Sequence, residues 1–197
     1  VIGQQMTMDP FIKGIPELVK CLGKENNPLV AEAIMTTDTV MKEIAVEFTV
    51  GGKTCKIGGV AKGSGMIHPN LATMLVFITT DCAISNEMLS KALKTDVQTT
   101  FNMVSVDGDT STNDMVVVLA NGMAGNQKIT CDGEDFNAFM KALNTVNVAL
   151  CRMIASDGEG ATKLLEVKVS GAKTQEDANK IAKSVICSSL LKAAMFG

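Results

Sequence analysis

Two spacings of apolar residues alternate along the chain, one of three to four positions and one of two positions. The first is typical of amphipathic helices, and the second is typical of half-buried strands. Helical spacing occurs over Met6–Leu22, Leu29–Met35, the residues after Ser85, Phe136–Met153 and the residues after Thr174. Strand-like runs occur over Ile44–Val50, Lys53–Gly59, Met74–Thr80, Met103–Val106, Met115–Ala120 and Leu164–Val169. This order of elements predicts a layered α/β or α+β protein that forms one compact unit.

Individual residues predict how several of these elements begin, turn and pack. Gly51-Gly52 favours a tight turn, so the strands on either side of it should form a hairpin. Ser85 can cap the helix that follows it. Thr174, with Asp177 three residues later, resembles a helix capping box. Met74–Thr80 is a continuous apolar run, which is typical of a strand buried on both faces.

The composition is that of a globular protein. The chain has 197 residues, of which 46% are hydrophobic and 20% charged, so it can build a core and is not globally disordered. The net charge of −3 leaves no basic field that could hold a nucleic acid or an anionic membrane. Aromatic residues are only 4%, which argues against base stacking. No apolar run approaches the roughly 20 residues that span a bilayer.

The six cysteines are too widely spaced for a zinc-binding motif. No two are closer than 20 positions, and the single histidine, His68, has no nearby Cys. A chain of this size can be stable without disulfides, so we expect reduced, mostly buried thiols in a cytoplasmic protein. His68 alone favours a structural role over that of a general base. No metal site is predicted.

Two loops resemble ligand-binding motifs, but neither has the required spacing. Gly58–Gly65 is rich in glycine, yet its Lys-Gly-Ser order differs from the Gly-Lys-Ser/Thr order of a phosphate-binding loop. Asp107–Asp114 resembles the start of a calcium loop, but Thr112 and Val118 stand where an EF-hand has Gly and Glu. We interpret the first loop as a flexible turn and the second as a structural loop with Asx turns. Glu159 lies in a further tight loop, where by itself it could be any exposed carboxylate.

Thr73 is the candidate nucleophile that needs a special arrangement. A threonine hydroxyl reacts poorly unless a base lies beside it. If the peptide bond before Thr73 were cut, the new α-amine, with a pKa of about 8, could take the hydroxyl proton. The residues alone do not establish that cut, and a threonine at the start of a strand is the simpler interpretation.

The segment Lys62–Leu75, with the sequence Lys-Gly-Ser-Gly-Met-Ile-His-Pro-Asn-Leu-Ala-Thr-Met-Leu, resembles the self-cleavage motif of the glutamate N-acetyltransferases (ornithine acetyltransferases) of arginine biosynthesis. Three further segments, Ala33–Thr39, Asp107–Asp114 and Asp157–Lys163, resemble other motifs of that family in the same order and at compatible spacing. Leu71 stands where the family usually has Met, a change that conserves volume. Four matches over nearly the whole chain make the resemblance specific.

The resemblance implies a mixed α/β fold of the self-cleaving kind, in which an N-terminal threonine is the nucleophile. The precursor would be cut between Ala72 and Thr73. Residues 1–72 would then be the end of an α-chain, and residues 73–197 would be the start of a β-chain. Thr73 would be the nucleophile of the mature enzyme.

The resemblance also implies which residues contact the substrate, namely Thr36, Lys62, Thr73 and Glu159. From side-chain chemistry, Lys62 would offer a positive charge and Glu159 a carboxylate to a zwitterionic amino acid. Thr73 would take the acetyl group from N2-acetylornithine and pass it to L-glutamate, in a ping-pong reaction without metal or nucleotide cofactor. Some family members also use acetyl-CoA as donor. The resemblance further suggests that the cleaved chains stay together and form a larger homo-oligomer.

Two departures from the family leave other functions open. The family has a Thr-Gly pair that stabilises the oxyanion just before the segment that resembles Val1–Gly3, and it has further substrate contacts after the region that ends at Gly197. We therefore expect this chain to be the middle half of a longer protein. The first alternative is a truncated, non-catalytic domain for substrate binding or assembly. The second is an aminopeptidase with the same kind of N-terminal nucleophile.

Overall fold

The structure is a computed structural model that describes residues 3–67, 74–109 and 111–196. Its helices are α1 (Asp9–Lys20), α2 (Asn27–Ala33), α3 (Asn86–Asp96), α4 (Glu134–Ser156), α5 (Gln175–Ile186) and α6 (Ser189–Phe196). Its strands are β1 (Lys42–Val50), β2 (Lys53–Lys62), β3 (Leu75–Thr80) and β4 (Met115–Ala120). Short 3-10 helices occur at Lys24–Asn26 and Phe101–Met103. The mixed α/β class predicted from the sequence is confirmed.

The four strands form one sheet in the order β1-β2-β3-β4. Strands β1, β2 and β3 are antiparallel neighbours, whereas β3 and β4 are parallel and are connected through α3. The predicted hairpin is confirmed, since Val50 pairs with Lys53 across Gly51-Gly52. Both glycines have positive φ, 52° and 76°, which a tight hairpin turn needs and which side chains with a Cβ rarely adopt. The parallel pairing of β3 with β4 sets which residues lie beside one another where β3 begins.

Helix α4 covers one face of the sheet and supplies much of the core. Its inward side chains recur at helical spacing because only one stripe of the helix faces the sheet. The fully buried members of this stripe are Phe139, Leu143, Val146, Leu150 and Ile154, and they pack with Val50, Cys55, Ile57, Val76 and Ile78 of the strands. The opposite face of the sheet is more open, with Phe77 half-buried and Thr79 exposed. The inner strand β3 was thus predicted correctly, but the prediction of burial on both faces was wrong.

Two predicted strands do not form. Leu164–Val169 keeps its alternation of half-buried and exposed residues but pairs with no strand among the described residues, and a strand needs a partner for its backbone hydrogen bonds. Met103–Val106 begins within the 3-10 helix Phe101–Met103 and continues as irregular chain. There, the N–H of Val106 donates to the carbonyl of Ile67 at 2.6 Å. This backbone bond links Val106 to the chain that follows β2, but no ladder forms there among the described residues.

Both predicted helix caps are confirmed. Ser85 Oγ accepts a hydrogen bond from the N–H of Met88 at 3.2 Å, and Thr174 Oγ1 accepts one from the N–H of Asp177 at 3.0 Å. Each bond satisfies one of the N–H groups that a helix start leaves unpaired.

All six cysteines are free, as predicted, but only half of them are buried. The buried thiols are Cys55, Cys82 and Cys151, whereas Cys21 and Cys131 are exposed and Cys187 is half-buried. Burial raises the pKa of the Cys82 thiol to about 12, which keeps that thiol unreactive at neutral pH. Among the described helices, none is both long and apolar enough to cross a membrane.

A buried lysine joins three segments of the chain at one end of the sheet. Lys42 is the first residue of β1, and its side chain is completely buried. Its Nζ lies 2.6 Å from Asp38 Oδ1 and 2.5 Å from Asp157 Oδ2. Asp38 belongs to the loop before β1, and Asp157 follows the last residue of α4. We call these three residues the Lys42 triad.

Hydrogen bonds from the surrounding chain stabilise the excess negative charge of the Lys42 triad. The N–H of Gly63 donates to Asp38 Oδ1 at 2.7 Å, and the N–H of Thr36 donates to Asp38 Oδ2 at 3.2 Å. Thr39 donates to Asp157 through its N–H at 2.9 Å and also through its hydroxyl. A buried ion pair persists only when such additional bonds offset its loss of hydration.

The two carboxyls of the Lys42 triad are therefore held in their charged form. Burial by itself raises the pKa of Asp38, but the hydrogen bonds from Gly63, Lys42 and Thr36 outweigh it, so the pKa lies below its ordinary value. Burial and bonding oppose each other in the same way at Asp157, where Lys42 and Thr39 lower the pKa.

The Lys42 triad predicts a large difference between two lysine substitutions. Lys42→Met should lower the free energy of unfolding by about 3–5 kcal/mol, because it leaves two buried carboxylates without their cation. Lys56→Met is the matched control on β2: Lys56 lies 3.3 Å from Glu47 with both side chains largely exposed, and its loss should cost at most about 1 kcal/mol. Urea unfolding of both variants measures the difference. Equal losses would show that the triad is not a major source of stability.

The lowered pKa values of Asp38 and Asp157 also predict how stability depends on pH. A carboxyl whose pKa is lowered by folding stabilises the protein above its unfolded pKa of about 4, and that contribution is lost as the pH falls through the lowered value. The free energy of unfolding should therefore decrease below about pH 4, and Asp38→Asn should make the decrease smaller. Asp132→Asn, at the exposed partner of Lys91, is the control. An unchanged acid dependence in Asp38→Asn would contradict this assignment.

Candidate functional site

Two of the predicted substrate contacts lie side by side at the end of β2. Lys62 is the last residue of that strand and is only 6% exposed, and its Nζ donates a hydrogen bond to Thr36 Oγ1 at 3.1 Å. Thr36 lies in the loop after α2 and is exposed. A cation held at the boundary between core and solvent is less screened than a surface lysine, so it can attract an anionic group strongly.

Glu159, the third predicted contact, lies against the chain just after Lys62. A Cβ atom at Gly65 would be 2.6 Å from Glu159 Oε1, a separation that real contacts do not show. A side chain at position 65 would displace this carboxylate from the position it occupies. The N–H of Glu159 donates to the carbonyl of Ser64 at 2.8 Å, and Ser64 Oγ donates to the carbonyl of Asp157 at 2.6 Å. These bonds hold the loop after α4 beside the segment that follows β2.

The segment 63–67 is held from a second side by Asp107. Its Oδ2 accepts a hydrogen bond from the N–H of Met66 at 2.5 Å, and its Oδ1 accepts one from the N–H of Ile67 at 3.1 Å. Met66 has φ 56°, the one positive value at a residue other than glycine in the described chain. A left-handed residue with a side chain costs roughly 1–2 kcal/mol, so the surrounding bonds hold this segment in a strained shape.

The Asp107 carboxylate also forms a turn within the loop Asp107–Asp114, as predicted. Its Oδ1 accepts a further bond from the N–H of Asp109 at 3.0 Å, which forms an Asx turn. Both carboxylate oxygens therefore bond to backbone N–H groups. Within the described residues, no three His, Cys, Asp or Glu side chains are grouped so that they could hold a metal ion.

Asp114 is a further carboxyl at this site, at the end of the same loop. Its Oδ1 accepts a hydrogen bond from the N–H of Met74 at 2.6 Å. Its Oδ2 is shielded from solvent and accepts no bond from any described residue. Burial raises the pKa of Asp114 above its ordinary value, although the N–H of Met74 and the charge of Lys62 act in the opposite direction.

The structure thus brings Thr36, Lys62 and Glu159 together around the segment 63–67. The other predicted site residues, Ala72 and Thr73, lie outside the described residues, as does His68. The predicted division of the chain between Ala72 and Thr73 falls in that same part of the sequence.

Sequence reasoning missed the residues that hold these contacts in place. Asp38 and Asp157 lie within segments that carry the family resemblance, but Lys42 has no motif around it. Asp114 is visible only as an acidic residue before a strand. It lies beside Met74 because Leu75 pairs with Met115 in the parallel register. That register cannot be read from the order of apolar residues.

Known proteins match the whole chain. The model of the family described as the ArgJ family matches residues 1–197. A protein of Clostridium acetobutylicum named "Arginine biosynthesis bifunctional protein ArgJ 1" is 53% identical over 197 residues, which are 100% of this chain and 48% of that protein. The corresponding proteins of Geobacillus stearothermophilus and Symbiobacterium thermophilum are 51% and 53% identical, with 48% and 49% of their lengths covered. The chain thus spans about half the length of the curated relatives it matches.

A solved structure agrees with these matches. The crystal structure of the arginine biosynthesis bifunctional protein ArgJ from Bacillus halodurans is 48% identical to this chain and superposes with a TM-score of 0.59. The superposition covers 61% of this chain and 57% of that chain. The fold and the resemblance inferred from the motifs are both confirmed. On the strength of the family match over every residue and of relatives at about half identity, this chain belongs to the ArgJ family.

Proposed function

We propose that this chain is the central part of a glutamate N-acetyltransferase that moves an acetyl group from N2-acetylornithine to L-glutamate. The relatives are named as arginine biosynthesis proteins, which supports this proposal. The observation that carries it is the arrangement of Thr36, Lys62 and Glu159. They are distant in sequence, yet they meet around one constrained segment that leads along the chain toward Thr73.

The charges at this site suit an amino-acid substrate. Such a substrate carries a carboxylate and an ammonium group, and the buried Lys62 and the carboxylate of Glu159 are opposite charges that could bind one each. The hydroxyl of Thr36 already accepts a hydrogen bond from Lys62, so it orients that ammonium group. Bound between these groups, N2-acetylornithine would present its acetyl carbon to the nucleophile.

The proposed reaction has two acyl-transfer steps. After cleavage between Ala72 and Thr73, the Thr73 hydroxyl attacks the acetyl carbonyl carbon while the α-amine of Thr73 takes the hydroxyl proton. The carbon–nitrogen bond breaks, the proton passes to the nitrogen, and ornithine leaves. The amine of glutamate then attacks the acetyl ester, the threonine oxygen regains a proton, and N-acetylglutamate leaves. We propose that no metal or nucleotide cofactor takes part, because the hydroxyl of Thr73 supplies the nucleophile and its own α-amine supplies the base.

We further propose that acetyl-CoA could serve as an alternative acetyl donor, because a thioester carbonyl is open to the same attack. The two cleaved chains would stay together and would form a larger homo-oligomer in the cytoplasm. A second candidate applies to the chain alone: a non-catalytic binding or assembly domain. The hydrogen bond between Lys62 and Thr36, which a ligand could meet without any reaction, supports that candidate. The family match argues against an aminopeptidase.

The first test is the mass of the full-length enzyme and of two variants at Thr73. The wild-type enzyme should separate into two polypeptides that meet between Ala72 and Thr73. Thr73→Ala should stay uncut and should lose acetyl transfer, because it has no hydroxyl. Thr73→Ser should keep part of both functions. Intact-mass spectrometry and an acetyl-transfer assay measure these outcomes. Wild-type transfer by uncut Thr73→Ala would overturn the nucleophile assignment.

The second test uses Gly65 to displace the carboxylate of Glu159 without removing it. Gly65→Ala and Glu159→Gln should each raise the KM for N2-acetylornithine by about 10- to 100-fold, which corresponds to the loss of a charged hydrogen bond. The double variant should be no worse than either single variant, since both remove one contact. Gly14→Ala is the control, because a Cβ there meets no atom within 4 Å. Additive effects of the two substitutions would contradict a shared contact.

A further inference from the structure

Helix α6 is hydrogen-bonded to two chain segments that lie far from it in sequence. Lys192 of α6 donates from its Nζ to the carbonyls of Ser105 and Val106, at 3.1 Å and 2.6 Å. Lys163, in the loop after α4, donates from its Nζ to the carbonyl of Met195 at 2.5 Å. The last four carbonyls of a helix have no partner within the helix, so Lys163 satisfies one of them. Two ammonium groups therefore connect α6 to the rest of the molecule.

These polar bonds, rather than burial in the core, fix the position of α6. None of the side chains of α6 is buried, and Lys192 itself is half-buried. A cavity of about 310 Å³ is lined by residues of both α6 and the loop after α4, among them Lys192, Phe196 and Glu159. An element that buries little apolar surface gains little from the hydrophobic effect. The contacts of Lys192 are thus the main link between α6 and residues 105–107.

The hydrogen bond from Lys192 to Ser105 acts on a second hydrogen bond through one peptide group. The carbonyl of Ser105 and the N–H of Val106 belong to the same peptide group. That N–H donates to the carbonyl of Ile67 at 2.6 Å. A cation at the oxygen of a peptide group polarises it and strengthens the bond that its N–H donates. Lys192 therefore strengthens the hold on the end of the segment 63–67.

The hydrogen bond from Lys192 to Val106 fixes the carboxylate that follows in the chain. Asp107 accepts the N–H groups of Met66 and Ile67, the bonds that hold this strained part of the chain. Burial lowers the pKa of Lys192, and the charge of Asp107 acts in the opposite direction. The ammonium group thus lies partly out of water and near that carboxylate. Both bonds of Lys192 lead to the same segment.

The segment 63–67 is also the support of Glu159. The carbonyl of Ser64 accepts the N–H of Glu159 at 2.8 Å, and the Glu159 carboxylate lies against Gly65. A shift of this segment would therefore move the carboxylate that is the candidate contact for the substrate.

We propose that Lys192 is a positioning residue for Glu159. It holds residues 105–107, these residues hold the segment 63–67, and that segment supports the backbone and the carboxylate of Glu159. This inference rests on the proposed function, because it takes Glu159 as a substrate contact. Lys192 touches no substrate in this arrangement and acts only through the chain between them.

The first measurement follows backbone N–H groups in the full-length enzyme by hydrogen exchange. Lys192→Met removes the ammonium group and keeps an apolar stem. The N–H groups of Met66 and Ile67 should then exchange about tenfold faster or more, as expected for the loss of a charged hydrogen bond. Lys180→Met is the matched control on α5, since Lys180 is exposed and paired with Glu176. It should exchange like wild type. Equal exchange in the two variants would overturn the proposal.

The second measurement separates positioning from a purely structural role. Lys192→Met should raise the KM for N2-acetylornithine by about tenfold and change kcat by less than about threefold, because a binding contact acts on ground state and transition state alike. In the Glu159→Gln background it should raise the KM no further, since the positioned contact is already lost. Lys192→Arg keeps donors for both carbonyls and should stay within about threefold of the wild-type KM. A lower melting temperature of Lys192→Met with an unchanged KM would contradict positioning.

The outcomes separate this inference from the proposed function. If the wild-type enzyme transfers no acetyl group from N2-acetylornithine, the proposed function fails, and hydrogen exchange still decides whether Lys192 holds the segment 63–67. If the wild-type enzyme is active and Lys192→Met has the KM of Lys180→Met, only the positioning role fails. If Lys192→Met does not fold, Lys192→Gln takes its place. Its uncharged amide should give a KM between those of wild type and Glu159→Gln, and a wild-type KM would overturn the proposal.

Discussion

The ion pairs of Lys42 are the interaction on which the rest of the site depends. A single ammonium group, without contact with solvent, binds a carboxylate from the loop before β1 and another from the end of α4. This cation and the hydrogen-bond donors around the carboxyls outweigh the effect of burial and hold the pKa of both below its ordinary value. The Lys42 triad thus joins the first strand of the sheet to the C-terminal end of the helix that covers it. It fixes where the loop after α4 begins.

The Lys42 triad fixes the positions of the candidate substrate contacts. The carboxylate of Asp38 accepts hydrogen bonds from the N–H groups of Thr36 and Gly63. One carboxylate therefore fixes both the loop that carries Thr36 and the residue after Lys62. Asp157 is two residues before Glu159, and its backbone carbonyl accepts a hydrogen bond from Ser64 Oγ. The ion pairs of the triad use neither the charge of Lys62 nor that of Glu159. That separation leaves Lys62 and Glu159 available to a ligand.

Much of the fold follows from local patterns, and the errors have a common cause. The hairpin at Gly51-Gly52 and the caps at Ser85 and Thr174 depend on neighbouring residues, and they were predicted correctly. Leu164–Val169 has the alternation of a strand but no partner strand beside it among the described residues. Backbone pairing depends on distant parts of the chain. The prediction that both faces of β3 are buried was wrong for the same reason. An apolar run in the sequence does not show which elements will cover each face of the strand.

By itself, the sequence determined the class of the fold, most of its elements, and the family to which the chain belongs, because periodicity, caps and motifs are short-range signals. It also singled out Thr36, Lys62 and Glu159 by their likeness to family motifs. The tertiary structure alone decided which groups became neighbours: Lys42 between two carboxylates, and Asp114 beside Met74. These contacts arise from strand register and loop closure between residues far apart in sequence. The free energy of such contacts depends on burial, and burial is a property of the folded chain.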